Sequence, residues 1–156
     1  MIKILILILG LSTLSFAAEF APKPSRVEAH IIRIKPNEDP YLILKNYVTE
    51  KKIHSASITS AVGSLSEAMI RFANQKEYSK LKGSKEVVSF SGTLGDQIKP
   101  HLHISLADEK GATLGGHLGE GSKVYTTLEV VIHAYPDVEF IRKPDPTFGY
   151  DELSFK

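Results

Sequence analysis

The sequence contains no cysteine among its 156 residues. Disulfide bonds, thiolate catalysis and cysteine zinc sites are therefore excluded, and any bound metal must be held by histidine, carboxylate or water. The chain also lacks the signatures GxSxG, the Walker loop and HExxH. Its glycine-rich stretch GGHLGEG does not have the spacing of a dinucleotide-binding fingerprint, and no long helix is predicted after it.

A large excess of charge of either sign is absent as well. The chain carries 19 basic and 18 acidic side chains, for a formal net charge of +1. Nucleic-acid-binding domains usually show a basic excess or a basic stripe. Lys51-Lys52 is only a doublet, and Lys76–Lys85 is interrupted by Glu77, so both are interpreted as solvated surface.

The apolar run Ile4–Leu14 is shorter than the span of about 20 residues that a membrane helix needs. It follows Lys3 and ends at Ser15–Ala17, which has small residues at both ends. This pattern predicts a signal peptide over residues 1–17, cleaved after Ala17, with a membrane anchor as the alternative. Cleavage leaves 18 basic and 18 acidic side chains. We therefore expect a periplasmic or secreted protein without a membrane anchor after cleavage.

The remaining sequence predicts one α+β domain, preceded by an extended arm over residues 18–26. Asp39-Pro40 favours a helix start, and the apolar spacing of Tyr41, Leu44 and Val48 predicts an amphipathic helix to about Lys52. Periodicity does not decide between strand and short helix for Glu67–Ala73. The predicted strands are Val27–Ile34, Ser55–Val62, Glu86–Leu94, His101–Ala107, Thr113–Leu118, Val124–Ala134 and an edge strand Val138–Ile141. The proline-containing tail is predicted to cover a surface without pairing.

Three of the six histidines lie between positions 101 and 117. Because side chains alternate across a strand, His101 and His103 share one face of the HLHISLA strand, opposite its leucines and isoleucine. Asp108–Gly111 is predicted to form a turn that returns His117 beside them. Three imidazoles without a fourth protein ligand are typical of a metal site with an open position for water.

The spacing of these histidines in the sequence does not by itself decide whether they bind a metal. An HxH pair also occurs on ordinary polar strand faces. Glu129 is the one carboxylate considered as a further ligand or general base, although a salt bridge or a subunit contact is its preferred role. His30, His54 and His133 are interpreted as structural or exposed. Zinc is the expected ion, but imidazole also suits copper, nickel and iron.

Four segments together resemble the prokaryotic form of the PPC ("plants and prokaryotes conserved") domain family. They occur in the order expected for the family and cover most of Arg26–Leu153. The segments are ITSAVGSLSEAMIRFA, FSGTLG, KPHLHISLADEKGATLGGHLGEGSKVYTTLEVVI and FIRKPDPTFGYDEL.

The resemblance implies a compact domain over residues 27–153, with an antiparallel-rich mixed sheet flanked by a few helices. It also implies a homotrimer, and a candidate zinc site formed by His101, His103 and His117. Family members often carry a DNA-binding label, which in plant members rests largely on AT-hook segments outside the domain. No such segment occurs in this sequence.

Three functions therefore remain as hypotheses. The first is an exported, metal-binding PPC protein with an unidentified ligand or partner. The second is a DNA-binding or regulatory protein, as the family label suggests. The third is a hydrolase or lyase that uses metal-bound water, with catalytic residues unknown. The sequence favours a non-enzymatic role and makes nucleic acid an unexpected partner.

Overall fold

The computed structural model describes residues 23–156, which form one helix and eight strands. The signal peptide predicted over residues 1–17 and the first part of the predicted arm lie outside this range. The elements are β1 (Glu28–Ile34), α1 (Pro40–Glu50), β2 (Ala56–Arg71), β3 (Ser79–Leu94), β4 (His101–Ala107), β5 (Thr113–Leu118), β6 (Lys123–Ala134), β7 (Phe140–Asp145) and β8 (Tyr150–Phe155).

The first six strands form one sheet in the order β1-β6-β2-β3-β4-β5. A further pairing of β2 with β5, which includes Ile70 opposite Leu118, joins the end of β2 to the edge of the sheet. Every strand pair within residues 23–156 is antiparallel. The parallel component of the expected mixed sheet is therefore absent from the described chain.

The helix begins where the sequence predicts. Asp39 is the N-cap and accepts a hydrogen bond from the Tyr41 amide at 2.9 Å, and Pro40 occupies the first turn, where its missing amide costs no hydrogen bond. Leu44 and Val48 are fully buried against the inner face of the sheet. The other oxygen of Asp39 accepts from the Gly121 amide, which ties the helix start to the turn before β6.

The expectation of a few helices is wrong for residues 23–156, since α1 is the one α-helix there. The segment Glu67–Ala73 lies in β2 up to Arg71, because strands on both sides of β2 supply hydrogen-bonding partners. The two predicted segments around Gly63 are one continuous strand. Gly63 has φ 148°, and a Cβ there would lie 2.1 Å from the Thr127 oxygen, so glycine bends β2 closely past β6 without ending it.

The prediction for the C-terminal tail is also wrong. β7 and β8 pair as a two-stranded hairpin, and β7 pairs with β8 rather than adding to the edge of the main sheet. Pro144 is tolerated because an isolated two-stranded sheet has free edges that need no amide donor. Asp145 organises the turn by accepting from the Thr147 amide at 2.6 Å, and Gly149 takes the positive φ of 74°.

The hairpin and the N-terminal arm are both attached to the main body. The Phe140 amide donates to the His54 carbonyl at 3.3 Å, and the Arg142 guanidinium donates to the Thr93 hydroxyl at 3.2 Å. Arg26, in the described part of the arm, forms an ion pair with Asp137 at 2.9 Å. Among residues 23–156, no helix has the length and apolar character needed to cross a bilayer.

Candidate metal centre

β4 carries the alternating pattern that its sequence predicts. Leu102, Ile104 and Leu106 are at most 2% exposed and belong to the core. His101 and His103 lie on the opposite, solvent-facing side of the strand. Burial of the three aliphatic side chains fixes which face the histidines occupy, since a slip of one residue would reverse both sets.

The turn between β4 and β5 brings the third histidine beside this pair. Asp108 organises the turn by accepting hydrogen bonds from the amides of Lys110 and Ala112, each at 2.9 Å. Gly111 supplies the left-handed conformation, with φ 79°. β5 then pairs with β4 so that His117 is directly opposite His103, which places both side chains on the same face.

The three imidazoles converge as the sequence predicts. Each ring offers one nitrogen, and these nitrogens all lie within 4.8 Å of one another. The Nε2 atoms of His101 and His103 are 3.2 Å apart. Two nitrogens bound tetrahedrally to one zinc ion are separated by roughly 3.3 Å, as follows from a Zn–N distance of about 2.0–2.1 Å. Small ring movements would therefore place all three nitrogens around one ion.

Two glycines allow β5 to fit between its neighbours. A Cβ on Gly115 would lie 2.3 Å from the Ile104 carbonyl oxygen, and one on Gly116 would lie 2.6 Å from the Arg71 carbonyl oxygen. Real Cβ atoms do not approach backbone so closely, and therefore β5 holds its position between β4 and the end of β2 only with glycine at these sites. The close approach predicted from Gly115-Gly116 is confirmed.

The environment lowers the pKa of two histidines of the site, His101 and His117. Burial, followed by the positive charge of Arg71, lowers the pKa of His117 from 6.5 to about 4. Partial burial, followed by His103 and Arg142, also lowers the pKa of His101, although the carboxylate of Glu152 acts in the opposite direction. The neutral imidazole is the form that binds a metal, so protons compete weakly with an ion for His101 and His117.

Sequence reasoning did not identify two arginines near the histidines. Arg71 ends β2 and is directly opposite His117, so its side chain lies on the same face. Arg142 on β7 contacts Thr93, which is directly opposite His101 on β4. Arg71 could have been placed on the polar face from the sequence, because it follows the apolar Ile70 in EAMIRFA. Arg142 could not, because it lies in the hairpin that the sequence did not predict.

Glu129 does not join the cluster. It lies on β6, opposite Arg33 on β1 and Val62 on β2, and it forms no salt bridge within the described part of the chain. The other histidines are also outside the cluster. His54 pairs with Asp96 at 2.9 Å.

Comparison with known proteins agrees with the fold. Two curated relatives are bifunctional GlmU proteins from Synechococcus strains JA-2-3B'a(2-13) and JA-3-3Ab, each 37% identical to this chain. The alignments cover 83% and 88% of this chain. The chain spans only about a fifth of either relative, at 20% and 22% of their lengths.

Solved structures match over nearly their whole length. A hypothetical protein from Salmonella cholerae-suis is 35% identical with a TM-score of 0.83, covering 86% of this chain and 96% of that one. A plant- and prokaryote-conserved protein from Pyrococcus horikoshii is 25% identical with a TM-score of 0.70, covering 86% and 97%. A metal-containing protein from Archaeoglobus fulgidus is 27% identical with a TM-score of 0.68, covering 85% and 99%.

The family is shown by the sequence match itself. The profile of the Plants and Prokaryotes Conserved (PCC) domain covers residues 22–136, which include the main sheet, the helix and all three clustered histidines. The resemblance expected from the HLH and GGH segments is therefore confirmed, and this chain belongs to the Plants and Prokaryotes Conserved domain family.

Proposed function

We propose that His101, His103 and His117 bind one divalent transition-metal ion, with zinc as the expected ion. The observation that carries this proposal is the convergence of three imidazole nitrogens to within 4.8 Å on one strand face. Three neutral nitrogen ligands are a donor set suited to zinc, and they leave one tetrahedral position open. The Archaeoglobus relative described as metal-containing adds support, since it shares the fold at 27% identity.

Metal analysis of the purified chain tests the proposal. The protein is stripped with a chelator, dialysed, and titrated with zinc, and the bound metal is then measured by mass spectrometry and calorimetry. We expect one zinc per chain in the wild type and loss of tight binding in His103→Gln. His133→Gln is the matched control, because His133 lies on β6 outside the cluster. Absence of stoichiometric zinc in the wild type, or equal affinity in His103→Gln, would contradict the proposal.

The open position favours a ligand-binding role over hydrolysis. Metal-dependent hydrolysis needs a base close to the bound water. Glu129, the base considered from the sequence, lies on β6 and is not part of the cluster. A Bacteroides thetaiotaomicron structure described as a candidate DNA-binding protein is 22% identical, and that likeness shows the fold alone. The near-neutral net charge and the lack of a long basic run in the sequence also weigh against a nucleic-acid-binding role.

We also propose that the chain assembles as a homotrimer through the outer face of β1, β6 and β2. Ile31, Val62 and Tyr125 are 83%, 66% and 52% exposed on that face. The strand registers place Ile31 opposite Val131 and Val62 opposite Glu129. Large apolar side chains exposed on one sheet face are typical of a protein interface, and this supports assembly between copies of the chain.

Export is the remaining part of the proposal. The signal-peptide pattern of residues 1–17 supports transfer to the periplasm or secretion, followed by cleavage after Ala17. The mature protein would then meet metal ions outside the cytoplasm. The proposal of export rests on the sequence pattern of residues 1–17 alone.

A further inference from the structure

Two arginines flank the three histidines and lack acidic partners. Arg71 is directly opposite His117 at the end of β2, and Arg142 reaches the same face from β7. Both side chains are half-buried. Neither forms a salt bridge with any carboxylate in residues 23–156.

The arginines use little of their hydrogen-bonding capacity within the chain. Arg71 Nη1 donates to the Gln75 carbonyl oxygen at 3.2 Å, and Arg142 Nη2 donates to the Thr93 hydroxyl at 3.2 Å. A guanidinium has five N–H donors arranged as a planar fork that fits carboxylate or phosphate oxygens. Donors therefore remain on both sides of the histidine cluster.

The charge of the proposed metal centre is not neutralised by the protein. Three neutral imidazoles leave the double positive charge of a bound ion intact, and the two guanidinium groups add to it. Glu152 on β8 is the carboxylate that acts on His101, and it is exposed and directly opposite Lys143 in the hairpin. One exposed carboxylate cannot balance this positive charge, so the site selects for an anion.

We infer that the open metal position takes a small oxyanion, a carboxylate or phosphate, whose remaining oxygens accept hydrogen bonds from Arg71 and Arg142. This inference rests on the proposed metal site and names the class of ligand that the site binds. A charge-assisted, forked contact combines attraction with orientation, which a water molecule at the same position does not provide. The hydroxyl of Ser91, directly opposite His103, lies on the same face and is a further donor.

Anion titration of the zinc-loaded protein tests the inference. Zinc is loaded to one equivalent without excess, and inorganic phosphate and malonate are titrated separately by calorimetry at a fixed sodium chloride concentration. We expect saturable binding of at least one anion, and the tighter of the two distinguishes a phosphate ligand from a carboxylate ligand. Chloride is a single atom, so at the metal position it has no further oxygens to offer the arginines, and it is expected to compete weakly.

Arginine variants separate this inference from the metal proposal. Arg71→Gln and Arg142→Gln should retain one zinc per chain but bind the anion about tenfold more weakly, the effect of losing one charge-assisted hydrogen bond. Arg33→Gln is the matched control, because Arg33 lies on β1 and donates to Thr127. Arg142 is on a separate hairpin from Arg71, so a folding defect in one variant leaves the other informative.

The possible outcomes are distinct. A wild-type chain that takes up no zinc overturns both the metal proposal and this inference. A zinc-loaded wild type that binds neither anion at millimolar concentration overturns this inference alone. So does unchanged anion affinity in both arginine variants.

Discussion

At the scale of single residues, the low pKa of His117 links the site to the stability of the metal-free protein. Burial and the charge of Arg71 lower this pKa from 6.5 to about 4 in the folded chain. Between these values the unfolded chain binds more protons than the folded chain, so the free energy of unfolding decreases as the pH falls. The contribution of His117 is present above pH 6.5 and is lost progressively towards pH 4.

Replacement of His117 should therefore flatten the pH dependence. We expect the metal-free His117→Gln variant to lose less stability than the wild type between pH 7 and about 4, where the lowered pKa of His117 acts. Urea unfolding at several pH values measures the difference, and His133→Gln serves as the control with the wild-type slope. Parallel curves for wild type and His117→Gln would show that this imidazole is not held neutral by its surroundings.

The residues of the histidine cluster could be predicted from the sequence, because their positions depend on one strand, one turn and the strand that follows it. Alternation along HLHISLA fixed the face of His101 and His103, and the Asp108–Gly111 turn fixed the return of His117. Arg142 could not be found in the same way, because its position depends on a distant hairpin docking near Thr93. For Glu129, alternation along β6 predicts which face of the strand the side chain occupies. Its distance from β4 depends on the order of the strands in the sheet, which the local sequence does not encode.

At the scale of secondary-structure elements, β5 holds the site together by its close packing between β4 and β2. Gly116→Ala should destabilise the protein by about 1–3 kcal/mol, the usual cost of forcing added atoms into packed structure. The new Cβ would lie 2.6 Å from the Arg71 oxygen and 2.9 Å from Ile70 Cγ2, so β5 must shift away from β2. Zinc affinity should fall as well, since His117 is the next residue.

Urea unfolding and zinc titration measure these two effects together. Thr113→Ala is a suitable control, because Thr113 lies on the same strand and is exposed. A Gly116→Ala protein with the stability and zinc affinity of the wild type would show that β5 can move without affecting the site.

The strand and helix predictions differ in accuracy for physical reasons. The helix start was encoded locally by Asp39-Pro40, and the structure confirms it. The continuity of β2 is not encoded locally, because the pair Gly63-Ser64 is typical of the end of a strand. Pairing with β6 carries the chain through that bend. The β7–β8 hairpin was missed because its prolines suggested irregular structure, while the turn formed by Asp145 and Gly149 favours pairing.

At the scale of the whole molecule, export is tested at the N-terminus. When the chain is expressed in a bacterium, the intact mass of the periplasmic or secreted protein should correspond to a mature chain that begins at Ala18. Signal peptidases need a small residue before the cleavage site, so Ala17→Lys should block processing, while Phe16→Leu should not. Recovery of the wild type with Met1 or the full N-terminal segment intact would contradict the proposed cleavage.

The last prediction concerns assembly through the outer face of β1, β6 and β2. Ile31→Glu and Val62→Lys should each convert the proposed homotrimer to monomers, because a desolvated charge at an apolar interface is strongly unfavourable. Neither change should unfold the monomer, since Ile31 and Val62 are 83% and 66% exposed. The new charges also fit their surroundings: Arg33 lies two residues from Ile31, and Glu129 is directly opposite Val62.

Sedimentation equilibrium measures the mass of each variant, and circular dichroism confirms that the fold is retained. Phe148→Lys is the matched control, because Phe148 is an apolar side chain that is 75% exposed in the turn between β7 and β8, outside the three strands of the proposed interface. It should remain trimeric. A wild type that sediments as a monomer at micromolar concentration, or an Ile31→Glu protein that stays trimeric, would remove this face as the assembly surface. The histidine cluster lies on β4 and β5, outside the substituted strands, so zinc uptake by folded monomers would further show that one chain forms the complete metal site.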